Sequence, residues 1–445
     1  MKILAFTAGA AKMYCGSCLR DNALAAELKR QGHDVILLPL YTPTRTDESN
    51  VSEPVVLLNG ISVCLDQQAA FFRKTHRLLD RLWDAQWMLK LASQTSIEVD
   101  PHMLGGMTVS MLRGEDGFQL KEIRKLSAWL KEWLRHWLIR EPPPDLVTLP
   151  NSLLIGLARP IRQALHRPVC CTLQGEEWFL SQLQEPYRTQ ALELIRAKIH
   201  DVDGFVAVSH YSAGYWIREL GIAENQMHVV PLGINLGGYQ PAERAPHQPF
   251  RVGYLARVAP EKGLHVLAES YIRLRRETDF NGAALEMAGY LAPEHRAYLR
   301  GVERLMKDAG FGAEFHYRGE LDRAHKIEFL SSLDLLSVPC IYPEPKGIFL
   351  LEAMACGVPV VQPRRGAFPE ILAQTGGGVL VEVEAEPDEP ARLADAIYRL
   401  WKAPEELAEL GRRGAEGVRA HYSVSLMAER ALEAYGKIVA AVAHA

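Results

Sequence analysis

Two short stretches of this chain carry residue types at spacings that could do chemistry. The first is EPKGIFLLE, residues 344–352, with carboxylates at Glu344 and Glu352 and a glycine, Gly347, between them. Ionised carboxylates only accept hydrogen bonds, so hydroxyl groups of sugars and riboses are natural partners. A glycine between them lets backbone come close to a ligand. The second is ARVAPEKGL, residues 256–264, where Arg257 and Lys262 lie five apart. They precede a helix that the pattern starts at about Gly263. Two cations beside a helix N-terminus, with its unpaired N–H groups and positive dipole end, suit a diphosphate. A short solvated basic loop has the same composition, so neither stretch is decisive alone.

The elements that must position them are legible. KILAFT (2–7) reads as a buried strand, and a helical pattern from about 18 to 31 ends at Gly32, where a helix C-cap wants glycine. DVILLPL (34–40) is a second strand. Apolar strands alternating with helices predict a parallel sheet covered on both faces. The alternation breaks over about 68–140, read as a helical insertion, and resumes with DLVTLP, PVCCTL, GFVAVS and MHVVPL. The stretch GINLGGYQPAERAPHQP (233–249) lacks periodicity and reads as a linker. A second series runs through FRVGYLARV, LEMAG, AEFHYRG, DLLSVP, PVVQP and GVLVE, and helices close the chain from about 404 to 443. This predicts an N-terminal Rossmann-like domain over 1–240, a second over 250–422, and a final helix over 423–445. In doubly wound sheets ligands bind outside the carboxyl ends of the strands. DLLSVP is a strand whose carboxyl end leads into IYPEPKG, so Glu344 falls in a loop and Glu352 more than a turn into the next helix.

Composition excludes several classes. The 445 residues are 48% hydrophobic and 23% charged, and 50 Lys and Arg against 54 Asp and Glu leave a net charge of -4, an ordinary globular balance that demands no nucleic-acid partner. No window of 18 apolar residues exists, and MKILAFTAGAAK reads as a strand rather than a signal peptide. The cysteines at 15, 18, 64, 170, 171, 340 and 356 are odd in number and mostly in apolar contexts, which suits a reducing cytoplasm. The first loop lacks G-x-G-x-x-G and no acidic residue ends the second strand, so NAD is disfavoured.

The run EPKGIFLLEAMACGVPVV closely resembles the signature of family 4 glycosyltransferases, in which two glutamates are separated by seven residues. LARVAPEKG, FVAVSHYSA with VVPLGIN, RGAFPEIL, RQGHDV and the terminal HYSVSLMAERALEAYGKI are similar to other segments of that family, so the resemblance extends over nearly the whole chain. It implies a GT-B fold and a retaining, metal-independent transfer of a hexose from a nucleotide diphosphate sugar. By the same resemblance Arg257 and Lys262 hold the donor diphosphate, Glu352 the ribose, and Glu344 faces the transferred sugar. The amides around Gly347, Ile348 and Phe349 contact the donor, Gly16 in AKMYCGSC lets the first loop approach it, and the last helix crosses back to the first domain. No cofactor is implied beyond the donor substrate, and the acceptor is a sugar, lipid or small molecule.

Two departures stand out. Where the family often carries a histidine after the strand PVCCTL, this chain has Gln174, which can hydrogen-bond a sugar hydroxyl but cannot carry charge or act as a base. Glu176 and Glu177 follow, as acceptor-side candidates or as a solvated helix start. The family's usual Gly-Gly pair in the first loop is here YCGSC, whose lone C-x-x-C, Cys15 and Cys18, has too few ligands for zinc and reads more readily as a small-residue loop than as a redox or metal site. Asp201-Val202-Asp203 precedes its strand and reads as strand-entry polarity. KEIRKLSAWLKEWLRHWLIR (121–140) sets Trp129, Trp133 and Trp137 four apart among basic residues. Such a stripe is more often core, though a basic helix of this kind can lie on an anionic membrane face; RKTHRLLDRLW (73–83) is a weaker basic segment. Beside the transferase stand two alternatives: an isomerase like the nucleotide-sugar 2-epimerases, and a non-catalytic sugar-nucleotide binder motivated by Gln174.

Overall fold

The structure, a computed structural model, describes residues 1–9, 14–58, 101–138, 142–241, 248–383 and 389–443. The chain divides into two compact units, residues 1–231 with 427–445, and residues 232–426.

In the first unit the strands are β1 (Lys2–Thr7), β2 (Asp34–Pro39), β3 (Leu146–Leu149), β4 (Val169–Leu173), β5 (Gly204–Ala207) and β6 (Met227–Val229). They form one parallel sheet in the order β2-β1-β3-β4-β5-β6. Its helices are α1 (Gly16–Arg30), α2 (Pro101–Arg113), α3 (Leu120–Leu138), α4 (Ala158–Leu165), α5 (Glu176–Ser181), α6 (Tyr187–Lys198) and α7 (His210–Leu220). Every residue of β3, β4 and β5 is buried, as a central parallel strand requires.

The second unit repeats the plan. Its strands are β7 (Phe250–Leu255), β8 (Ala283–Ala288), β9 (Phe315–Tyr317), β10 (Leu335–Leu336), β11 (Val360–Pro363) and β12 (Gly378–Val381), in the parallel order β12-β11-β10-β7-β8-β9. Its helices are α8 (Leu264–Glu277), α9 (Arg296–Asp308), α10 (Arg323–Ser331), α11 (Ile348–Ala355), α12 (Phe368–Thr375), α13 (Glu389–Lys402) and α14 (Pro404–His421). The last helix, α15 (Val424–Ala443), contributes residues 427 onward to the first unit, where Ile438 packs over Gly204 of β5; a Cβ there would meet Ile438 Cγ1 at 2.6 Å. Two doubly wound Rossmann-like domains are the GT-B fold.

One sequence expectation needs correcting. The stretch read as a linker is not one throughout: Leu232 onward belongs to the second unit, Ile234 and Tyr239 are buried, and the Ile234 N–H donates to the Tyr422 carbonyl at 2.8 Å. Over residues 233–241 the Gly, Pro and polar residues mark irregular but packed chain. The tryptophan helix α3 turns Ile123, Leu126 and Leu130 into the core, with Trp129 packed against it. Of the insertion over about 68–140, residues 101–113 and 120–138 are helical; segment 73–83 and the side chains of Trp133 and Trp137 lie outside the described residues. Among the described residues no helix is long and apolar enough to cross a membrane. Asp203 accepts from the Val169 N–H at 2.8 Å and pairs with Arg162 at 2.6 Å, so the Asp-Val-Asp run ties the amino ends of two strands.

Candidate active site

In the second unit the strand order reverses between β7 and β10, and a reversal of this kind opens a crevice outside the carboxyl ends of the two strands. The loop leaving β7 carries Arg257 and Lys262. The loop leaving β10 carries Tyr342, Glu344 and Gly347. Adjacent strands therefore bring together residues 82 positions apart: Lys262 Nζ lies 2.5 Å from Glu344 Oε2. Lys262 also donates to the Tyr342 hydroxyl at 2.7 Å, and that hydroxyl donates to the same Glu344 oxygen. The ammonium sits 4.9 Å from the Tyr342 ring centroid, within cation–π range. The Lys346 N–H donates to Glu344 Oε1 at 3.2 Å, and the Ala367 N–H holds the Glu344 carbonyl at 2.8 Å.

This geometry sets the charge state. Burial opposes ionisation of Glu344, but the charges of Lys262 and then Lys346, with hydrogen bonds from Lys262 and Tyr342, outweigh it and bring its pKa down to about 2. Burial likewise works against the Lys262 ammonium, and Glu344 more than compensates, so Lys262 is raised. Burial, and next the Glu344 charge, push the Tyr342 phenol well up. A half-buried lysinium, a buried carboxylate and a neutral phenol thus form one mutually satisfied cluster.

Gly347 has φ +63°, a left-handed conformation that turns the loop into α11 and places Ile348 and Phe349 in its first turn. Phe349 lies 6.0 Å from the Lys262 ammonium and edge-on to Phe368. Glu352, one turn further, is buried. Its Oε1 takes Lys326 Nζ at 2.5 Å and the Tyr239 hydroxyl at 3.1 Å. Sequence reasoning missed Lys326, Tyr239 and Tyr342. Lys326 on α10 and Tyr239, 113 residues before Glu352, carried no spacing signal, whereas Tyr342 stood inside a quoted motif and a buried phenol two residues from a carboxylate was readable there.

The groups of the phosphate loop already have partners within the chain. Arg257 donates to Glu261 at 2.5 Å and Lys262 is held by Glu344, so both cations have carboxylate partners. The N-terminus of α8 is also partly occupied: the His265 N–H donates to the Tyr298 hydroxyl at 3.1 Å, and the His265 ring lies 2.9 Å from the same oxygen. A residue on α9 supplies the cap that the local sequence lacks.

In the first unit the reversal falls between β1 and β3. Gly16 is the first residue of α1, with Cys15 at the N-cap position. Gln174, at the carboxyl end of β4, is buried; its Nε2 donates to the Pro150 carbonyl at 2.7 Å and lies 3.4 Å from Asp21 Oδ1 on α1. Its Oε1 has no partner among the described residues. Glu176 braces the loop that leaves β4. It accepts from the Ser152 N–H at 2.8 Å, the Ser152 hydroxyl at 2.9 Å and the Gln174 N–H at 2.8 Å. Burial pushes its pKa up, against those hydrogen bonds. Glu177 is buried too, near Tyr211 and Tyr215, whose phenols it helps raise after burial. Neither glutamate is a solvated helix start. Among the described residues no three His, Cys, Asp or Glu side chains are grouped to hold a metal ion.

These sites and sheets can be set beside known proteins. The family described as "Glycosyl transferases group 1" matches residues 239–416, and "Glycosyltransferase Family 4" matches residues 112–237. The chain belongs to the family 4 glycosyltransferases. Its relatives include the MMP alpha-(1->4)-mannosyltransferase of Mycolicibacterium hassiacum, 27% identical over 57% of this chain and 58% of its own length. Alpha-maltose-1-phosphate synthase of Mycolicibacterium smegmatis is 29% identical over 59% of this chain and 70% of its own. The chain thus spans just over half the length of the first relative. Among solved structures, sucrose-phosphate synthase from Thermosynechococcus elongatus is similar with a TM-score of 0.68 at 18% identity over 99% of both chains. Anabaena HepE in complex with UDP gives 0.65 at 16%, covering 97% of this chain and 99% of its own. At such identities these two likenesses concern the fold.

Proposed function

We propose that this protein is a glycosyltransferase that moves a hexose from a nucleotide diphosphate sugar to an acceptor with retention of anomeric configuration and without a bound metal. One observation carries the reading: Lys262 and Glu344, from neighbouring loops at the strand-order reversal, are assembled with Glu352 on the next helix. In this reading Lys262 and Arg257 exchange their carboxylate partners for the donor diphosphate and neutralise the leaving group. The first turn of α11 adds its backbone N–H groups. Glu344, ionised at neutral pH, accepts from hydroxyls of the transferred sugar. Glu352, anchored through Oε1 by Lys326 and Tyr239, accepts from the ribose. Acceleration then comes from orientation and a cationic clamp on the departing phosphate, with that phosphate helping to deprotonate the acceptor. Relatives named as a GDP-mannose-dependent mannosyltransferase and the HepE complex with UDP-glucose support a nucleotide-hexose donor.

A second reading, a binder of nucleotide sugars without turnover, is favoured by Gln174. Its amide nitrogen is engaged by Pro150 and Asp21, and it cannot act as a base.

Thermal unfolding with UDP, GDP, ADP and NAD, each with and without EDTA, tests the ligand class. A ligand at a hundred times its dissociation constant adds about 2.7 kcal/mol, several degrees in a chain of this size. A rise with one nucleoside diphosphate that ignores EDTA is expected; a rise with NAD alone, or with none, refutes the reading. Release of that diphosphate from its hexose conjugate then separates transferase from binder.

A further inference from the structure

The first turn of α1 holds a pair of thiols that the proposed transfer chemistry does not use. Cys15 is the N-cap residue, with φ -102° and ψ 123°, and its carbonyl accepts the Leu19 N–H at 2.9 Å, the first bond of the helix. Cys18 lies three residues on, so the two side chains share one face of the turn. As the N-cap and third helical residue they face each other across the turn, and Cys15 is the largest influence on the Cys18 thiol. Gly16 and Ser17, between them, are small. The two sulfurs differ in setting, since Cys15 is half-buried and Cys18 is 1% exposed.

We propose that Cys15 and Cys18 form a reversible dithiol–disulfide couple at the carboxyl end of β1. The asymmetry assigns the roles. Cys15 sits at the positive end of a fifteen-residue helix with no acidic residue in its first turn, which favours a thiolate. The neighbouring Cys15 thiol, burial and the Asp21 charge all hold the Cys18 thiol in its protonated form. With a small-molecule disulfide as oxidant, the Cys15 thiolate attacks one sulfur and expels one thiolate, giving a mixed disulfide. Cys18 then loses its proton and attacks the Cys15 sulfur, expelling the second thiolate. Two protein thiols are oxidised, one external disulfide is reduced to two thiols, and excess external thiol reverses both steps.

The other described cysteines do not offer this arrangement. Cys170 and Cys171 are consecutive on β4, so their side chains point to opposite faces of the sheet. Cys340 and Cys356 are buried in the second unit. The inference is independent of which sugar nucleotide the protein takes.

The test equilibrates the full chain in glutathione buffers of graded ratio, quenches with acid, alkylates with a maleimide and maps the labelled peptides. The expected result is joint loss of label at Cys15 and Cys18, following the square of reduced glutathione over its disulfide, with a peptide lighter by two hydrogen atoms. Cys15→Ser and Cys18→Ser should each abolish that loss. Mapping of the wild-type chain decides the matter even if a variant folds poorly. Full labelling of both thiols in the most oxidising buffer overturns the proposal. So does a product that stops at glutathionylated Cys15, or loss of label at other cysteines instead.

Discussion

Replacing Lys262 by Met removes the ammonium from a carboxylate that is 4% exposed, and the structure says what should follow. In the native protein the Glu344 pKa falls from the ordinary 4.5 to about 2. At about 1.36 kcal/mol per pKa unit this is about 3 kcal/mol of stability, complete above pH 4.5 and lost as pH falls towards 2. Without Lys262 the balance inverts, because burial was the largest influence on Glu344 and it acts upward. The folded-state pKa then lies above the unfolded one, so the variant should gain stability on acidification through the range above pH 4.5. Breaking a buried pair from one side costs about 3–5 kcal/mol. For a unit of this size the melting temperature drops by roughly 6 °C or more at pH 7. The assay is thermal unfolding from pH 4.5 to 7.5 of the native chain, Lys262→Met, Glu344→Gln and the double variant. The double variant should recover much of the loss, because no buried charge is then left alone. A single variant within about 2 °C of native, or one that loses stability in acid as the native chain does, refutes the assignment of a tightly coupled buried pair.

Other consequences follow from the same contacts. Tyr342→Phe keeps the ring beneath the ammonium but removes the donor to Glu344, so the Glu344 pKa should rise from about 2 and its contribution to stability should fade at a higher pH than in the native chain; identical pH dependence of stability in the two proteins would mean the phenol is passive. Gly263→Ala should damage folding and nucleotide binding far more than Gly347→Ala. Both have positive φ, but a Cβ at 263 falls 1.9 Å from the Pro339 carbonyl oxygen, whereas at 347 it meets the mobile end of Ile371 at 2.9 Å; the second should cost about 1–2 kcal/mol, and equal losses in urea unfolding would contradict the contacts. Gln174→Met deprives the buried Asp21 carboxylate and the Pro150 carbonyl of their donor, which should cost roughly 1–3 kcal/mol in the same experiment. Glu352→Gln removes the carboxylate that pairs with the Lys326 ammonium at 2.5 Å, so nucleotide affinity and stability should fall together, and Lys326→Met in that background should restore stability but not affinity.

Much of this molecule is determined locally. Buried parallel strands must be continuously apolar, so KILAFT, PVCCTL and FRVGYL announce themselves without any tertiary contact. Gly32, Gly263 and Gly347 mark turns because only glycine enters the left-handed region freely, and they sit beside the ends of α1, α8 and α11. The loops bearing Arg257, Lys262, Glu344 and Glu352 are therefore visible as strand-to-helix junctions, and the resemblance of those loops to family 4 glycosyltransferases is local as well. Which groups face one another is a different matter. The order in which strands assemble puts β7 beside β10, and this alone makes a salt bridge of Lys262 and Glu344. The same topology brings Tyr298 to the start of α8 and Tyr239 to Glu352. It also joins Gln174 to Asp21 across 153 positions and turns Glu176 from a surface candidate into a buried brace. Hydrogen-bond partners distant in sequence leave no periodicity behind them, because each is selected by proximity in the folded sheet rather than by the residues beside it.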